Sequence, residues 1–170
     1  VVYAPTLASS DLPGKFRVPW CIDVDCFDPL ALIRGGLVAY LAGVNLYGAD
    51  LTGADLVGAN LYGAYLPKAN LTRAKLTRVN LYGADLSGAT LIRATLTRVN
   101  LYGAKLTRAN LYGANLTGAN LTRAYLDGAN LTAANLYGAN LTAANLTGAN
   151  GGAMAIWPDG FDWKAEGVLP

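Results

Sequence analysis

From Leu41 to Leu146 a leucine stands at every fifth position without interruption, and two places before each one is alanine or, at Val44, Val79 and Val99, valine. The positions between are polar or small. The unit reads Ala-(Asn/Asp)-Leu-(Thr/Tyr)-(Gly/Arg), as in Ala49-Asp50-Leu51-Thr52-Gly53, Ala109-Asn110-Leu111-Tyr112-Gly113 and Ala139-Asn140-Leu141-Thr142-Ala143. A period of five matches neither the 3.6 of a helix nor the 2 of a strand. A chain that turns a corner every five residues does place all the leucines on one side. Four such units close a square coil, and the next coil stacks on it. Units this short do not bury their apolar positions alone, so stacking into a solenoid follows.

Each position then has a physical role. Leucine points into the tube, where burial contributes about 1.5–3 kcal/mol per side chain. The alanine two places earlier also points in, and its small size lets the walls approach. The other three positions face outward. Gly48, Gly53, Gly58, Gly63, Gly83 and Gly103 lie two residues after a leucine, where a corner with positive φ suits glycine. Arg73, Arg78, Arg93, Arg98 and Arg108 share that slot, so those corners are predicted to use a turn with negative φ there. Asn60, Asn80, Asn100, Asn120 and Asn140 recur every twenty residues and are predicted to stack into a side-chain ladder with rungs about 4.8 Å apart.

On these repeats the chain closely resembles the pentapeptide-repeat family, over residues 39–150. The resemblance implies an all-β fold, a right-handed quadrilateral β-helix, with short helical or irregular caps at either end. Residues 1–38 read as an arm punctuated by Pro5, Pro13 and Pro19 and a capping helix, N-capped by Asp28 with Pro29 in its first turn and ended by Gly35-Gly36. In residues 151–170, Gly151-Gly152 breaks the period, Trp157-Pro158-Asp159-Gly160-Phe161 signals a turn, and Asp162 opens a helical turn ended by Gly167. This tail resembles those of cyanobacterial members. Trp157, Phe161 and Trp163 are expected to lie over the last coil as a lid, or to form a dimer contact.

The apolar fraction of 53% is spread at five-residue intervals, and no run such as Leu37 to Leu41 is long enough to span a bilayer, so no membrane partner is expected. The start Val1-Val2-Tyr3, with Met154 the sole methionine, is expected of a processed or trimmed product. Cys21 and Cys26 are the only cysteines. Joined, they would staple the non-repeat segment and place the protein in an oxidising compartment such as periplasm or thylakoid lumen; as two buried thiols they would leave it cytoplasmic. A zinc site is disfavoured, with no histidine and no further cysteine to complete four ligands.

Catalysis is not expected: histidine is absent, the repeats hold only Asp50, Asp55, Asp85 and Asp127 as acids, and no phosphate-binding glycine loop is present. No cofactor is implied. What remains is the surface. Folded at twenty residues per coil, one face carries Tyr62, Tyr82 and Tyr102 in a column, either stacking to stabilise successive coils or offering a platform to a partner or to bases. Two neighbouring faces carry Arg73 over Arg93 and Arg78 over Arg98, with Lys75 nearby. Nine basic residues against four acidic give the repeats net +5, within +2 for the whole chain. That sign argues against the acidic DNA mimicry known for some members of the family. The expectation is a non-enzymatic scaffold that binds a protein partner, as a monomer or weak dimer. The alternative is an anion-binding module that grips an acidic protein or nucleic acid through the arginine faces.

Overall fold

The computed structural model describes residues 41–170, so the expected N-terminal arm and capping helix, and Cys21 and Cys26, lie outside the described residues. Within residues 45–150, one residue in every five forms a parallel bridge to the residue twenty places on, from Asn45 with Tyr65 to Asn130 with Asn150. Twenty residues therefore make one coil, with four bridge columns running along the tube. Each bridge is a single isolated residue, and no longer strand forms among the described residues. The reason is the repeat itself: only three residues separate one corner from the next.

Every corner is a four-residue turn opening on a leucine. The Val44 N–H donates to the Leu41 carbonyl at 3.2 Å, Ala74 to Leu71 at 3.0 Å, and Ala124 to Leu121 at 3.0 Å. The third residue of each turn has positive φ, which defines a type II geometry. The negative φ predicted for the arginine corners is corrected here: Arg73, Arg78, Arg93, Arg98 and Arg108 sit at φ 58°, 59°, 53°, 56° and 56°. The cause is the ladder between coils. The N–H in the middle of each turn donates to the matching carbonyl of the next coil, as Gly53 to Thr72 at 2.8 Å and Arg73 to Ile92 at 2.9 Å. A type I turn flips that central peptide. In such a column it would set carbonyl against carbonyl, so one turn type propagates through the stack whatever the side chain. Left-handed backbone costs an L-residue about 1–2 kcal/mol, and the ladder overrides it.

The core is the predicted one. The leucines from Leu41 to Leu136 are at most 3% exposed, the inward residues from Ala59 to Ala134 at most 1%, and no polar or charged side chain is buried among the described residues. At the C-terminal end, Gly152–Met154 forms a short 3-10 helix, Ile156 bridges to Asn135, and Leu169 bridges to Asn150. Gly152 is required there, because a Cβ on it would fall 2.6 Å from the Pro170 Cα. Trp157 stacks on Phe161 at 5.2 Å and donates from its indole nitrogen to the Gly152 carbonyl at 2.7 Å. Both, with Trp163, are partly buried against the core. Asp162 accepts hydrogen bonds from the Lys164 and Ala165 N–H groups, and Gly167 (φ 76°) ends that turn.

Candidate interaction surface

The asparagine column binds one outer edge of the tube together. The side-chain amide of Asn80 donates to the Asn60 Oδ1 at 3.2 Å, Asn100 to Asn80 at 3.2 Å, and Asn120 to Asn100 at 3.3 Å. Each of these Oδ1 atoms also accepts the backbone N–H two residues on, as from Tyr62, Tyr82 and Tyr102. That second bond fixes the start of the corner on which each tyrosine sits. Asn140 stands apart, its Oδ1 taken by the Thr142 N–H and hydroxyl.

Held this way, Tyr62, Tyr82 and Tyr102 stack with ring centroids 5.3 and 5.0 Å apart and interplanar angles of 10° and 6°. Their faces meet one another, so what the column shows solvent is mainly ring edges and hydroxyls. Arg123, one coil on, places its guanidinium 5.9 Å from the Tyr102 ring and closes that end of the stack. Sequence reasoning counts Arg123 only among the nine basic residues of the repeats and does not set it at the tyrosine column, although it is the corner residue twenty-one after Tyr102 and the twenty-residue period points to it. A second pair, Tyr47 and Tyr65, stacks at 6.2 Å with the Lys68 ammonium 5.9 Å from the Tyr47 ring. Single residues on different repeat positions, these show no column in the sequence.

The four arginines occupy corner slots on two adjacent sides: Arg73 and Arg93 on one, Arg78 and Arg98 on the next. All four are exposed. The stems of Arg93 and Arg98 lean toward the following coil, since a Cβ placed on Gly113 would lie 3.5 Å from the Arg93 Cγ and one on Gly118 3.5 Å from the Arg98 Cγ. None of the four has an ion-pair partner among the described residues. Lys75 differs: its ammonium meets the Asp55 carboxylate one coil back at 3.2 Å, an exposed pair. The Val57 N–H, and then Lys75, hold the Asp55 carboxyl below its ordinary range. Lys75 is thus partly neutralised while the arginines are not. No group of three or more His, Cys, Asp or Glu side chains able to hold a metal ion occurs among the described residues, and no described helix is long and apolar enough to cross a membrane.

A coil of twenty residues with inward leucine, inward alanine and type II corners defines the class, a pentapeptide-repeat solenoid. The pentapeptide-repeat family model matches in eight copies, over residues 39–78, 54–91, 74–113 and 109–148. The chain belongs to this family, whose members and solved structures imply the right-handed quadrilateral β-helix. Similar solved structures include the pentapeptide repeat protein Rfr23 from the cyanobacterium Cyanothece 51142, at 39% identity and a TM-score of 0.54 over 55% of this chain and 64% of that one. Another, alr5209 from Nostoc PCC 7120, is 36% identical, with a TM-score of 0.44 over 62% of this chain and 83% of that one. A third, from the Arabidopsis thaliana thylakoid lumen, is 30% identical, with a TM-score of 0.38 over 62% of this chain and 66% of that one. The chain thus spans just under two thirds of the first of these structures. No curated protein matches. The family is one of structural and interaction scaffolds, not enzymes, and this chain is read accordingly.

Proposed function

We propose that this chain is a rigid protein-interaction scaffold whose exposed corners form the contact surface, and that its partner presents an acidic face to Arg73, Arg78, Arg93 and Arg98. The observation that carries the reading is that all four arginines stand at positive φ, exposed, with no ion-pair partner among the described residues. Stacked like charges repel, and a left-handed arginine costs stability that glycine in the same slot does not. A planar guanidinium fork suits carboxylate and phosphate alike. Residues 39–150 form the working tube on this reading, with 1–38 at one end and 151–170 over part of the other as caps against edge-to-edge association.

The second reading, nucleic acid on the same faces, rests on the same unpaired arginines. Affinity capture from native lysate at two salt concentrations, with and without nuclease, separates the two. A protein captured in both nuclease arms, and lost when all four arginines are changed to glutamine, supports the scaffold reading. Capture abolished by nuclease supports the second. Capture unchanged by the quadruple substitution, with the same salt profile, leaves the arginine faces without a role.

A further inference from the structure

Inside the tube each side offers a fixed set of backbone groups to the coil that follows. The leucine and the third corner residue each donate to a carbonyl nineteen residues on, and the inward alanine accepts from an N–H twenty-one residues on. At the last coil the C-terminal segment takes over these groups on some sides. Ile156 pairs with Leu136 and Ala134, Gly167 accepts from Gly148, and Leu169 donates to Ala149. The side from Ala139 to Ala144 receives nothing. The N–H groups of Leu141 and Ala143, and the carbonyls of Ala139 and Ala144, have no hydrogen-bond partner among the described residues.

Burial says the same independently. Ala139 is 7% and Leu141 9% exposed, whereas Ala119 and Leu121, one coil earlier, are 1% and 0%. Between this bare edge and the C-terminal turn lies an open depression of about 410 Å³, lined by Leu141, Ala143, Pro158 and Phe161 and by the exposed Asp159 and Glu166.

We propose that this edge is a docking site for one extended, basic segment of a partner protein, which adds a fifth-residue rung to the tube by strand addition. Four features select that occupant. The free donors and acceptors are those that one more side of the coil would pair, so the ligand is a peptide backbone. Leu141, at 9%, is the most exposed of the core leucines, so the segment brings an apolar side chain to complete its cover. Asp159 and Glu166 on the rim disfavour a free anion and favour lysine or arginine. The C-terminal segment already pairs with part of each neighbouring side, through Ile156, Gly167 and Leu169, which blocks a second copy from stacking coil on coil. The site is separate from the arginine corners and its partner has the opposite charge.

The probe is the acetylated, amidated peptide Ala-Lys-Leu-Thr-Arg-Ala, the sequence of residues 104–109. It is titrated into the full chain while amide shifts and hydrogen exchange are followed by NMR. Saturable shifts centred on Leu141 and Ala143, with exchange of those two amides slowed several-fold, are expected. The Asp159→Lys/Glu166→Lys variant, altered only at exposed side chains, is expected to keep its Tm and lose at least threefold in affinity. A peptide with glutamate in place of lysine and arginine is expected not to bind. The proposal is overturned by an absence of saturation, by shifts that map elsewhere, or by equal binding of the acidic peptide. It is equally overturned if the unliganded chain sediments as a dimer with Leu141 and Ala143 already protected.

Discussion

Replacing Arg73, Arg78, Arg93 and Arg98 together, once by glutamine and once by glycine, separates the charge of these corners from their backbone strain. Glutamine removes four positive charges and keeps the left-handed backbone at φ 53–59°. Its stability is expected to equal or slightly exceed the parent's, through relief of repulsion between exposed like charges. Glycine removes the charge and also the steric cost of an L-residue in that region, about 1–2 kcal/mol per position. Against this stands the greater freedom of glycine in the unfolded chain, about 0.4–1 kcal/mol. The glycine variant is therefore expected to be more stable than the glutamine variant by about 0.5–1 kcal/mol per corner, or roughly 2–4 kcal/mol for four. For a chain of this size that corresponds to roughly 5–15 °C in Tm.

The steric environment permits the exchange, because all four arginines are exposed, and the stems of Arg93 and Arg98 lie beside the glycine corners Gly113 and Gly118 of the next coil. Urea unfolding followed by far-UV circular dichroism gives the midpoints, compared only where the slopes agree, since repeat arrays can lose two-state behaviour. The sign is decisive. If these corners had negative φ, glycine would only add unfolded-state entropy and the glycine variant would be the less stable. That outcome would refute the type II assignment at the arginine corners and the argument that the ladder propagates one turn type.

Leu96, fully buried, and Thr97, on the adjoining corner, test the inward register: Leu96→Asp is expected to abolish the cooperative thermal transition and Thr97→Asp to shift it little, and equal damage from both removes the assignment. Asp55 titrates below its ordinary range, so the Lys75 pair contributes above the unfolded carboxylate pKa and is lost as pH falls through the lower folded value. Lys75→Met is accordingly expected to raise the Asp55 pKa seen by NMR; an unchanged titration shows that the ion pair does not contribute. We expect Cys21 and Cys26 to be joined in protein isolated under alkylating conditions, which fits an oxidising compartment; mass spectrometry finding two alkylated thiols defeats both the bond and that placement. Removal of residues 1–38 is expected to cause end-to-end association in sedimentation, and a monomer as stable as the parent shows that the arm is not a cap.

The core was legible in the sequence because its signal is redundant: a leucine every five residues and alanine or valine two places before leave one inward register, and every Leu from Leu41 to Leu136 obeys it. The asparagine ladder from Asn60 to Asn120 was legible for the same reason, as identical residues recur at the coil period. The arginine corners were misread because residue type at one position is a local signal, whereas turn type is fixed by hydrogen bonds to the coils before and after. Local preference costs about 1–2 kcal/mol at each such corner. A reversed peptide at Arg73 breaks its bond to Ile92 and, because its carbonyl then points the wrong way, the bond from Gly53 to Thr72 as well. Two lost ladder hydrogen bonds, about 0.5–1.5 kcal/mol each, together with carbonyl set against carbonyl, outweigh the strain relieved, so glycine is preferred in that slot without being required. The bare edge at Ala139 to Ala144 was illegible on different grounds. Its residues, Ala139-Asn140-Leu141-Thr142-Ala143, are an ordinary repeat unit, and what sets them apart is where the twenty residues after Asn150 fail to reach. A periodic sequence specifies how each coil meets the next, and is silent where the period stops.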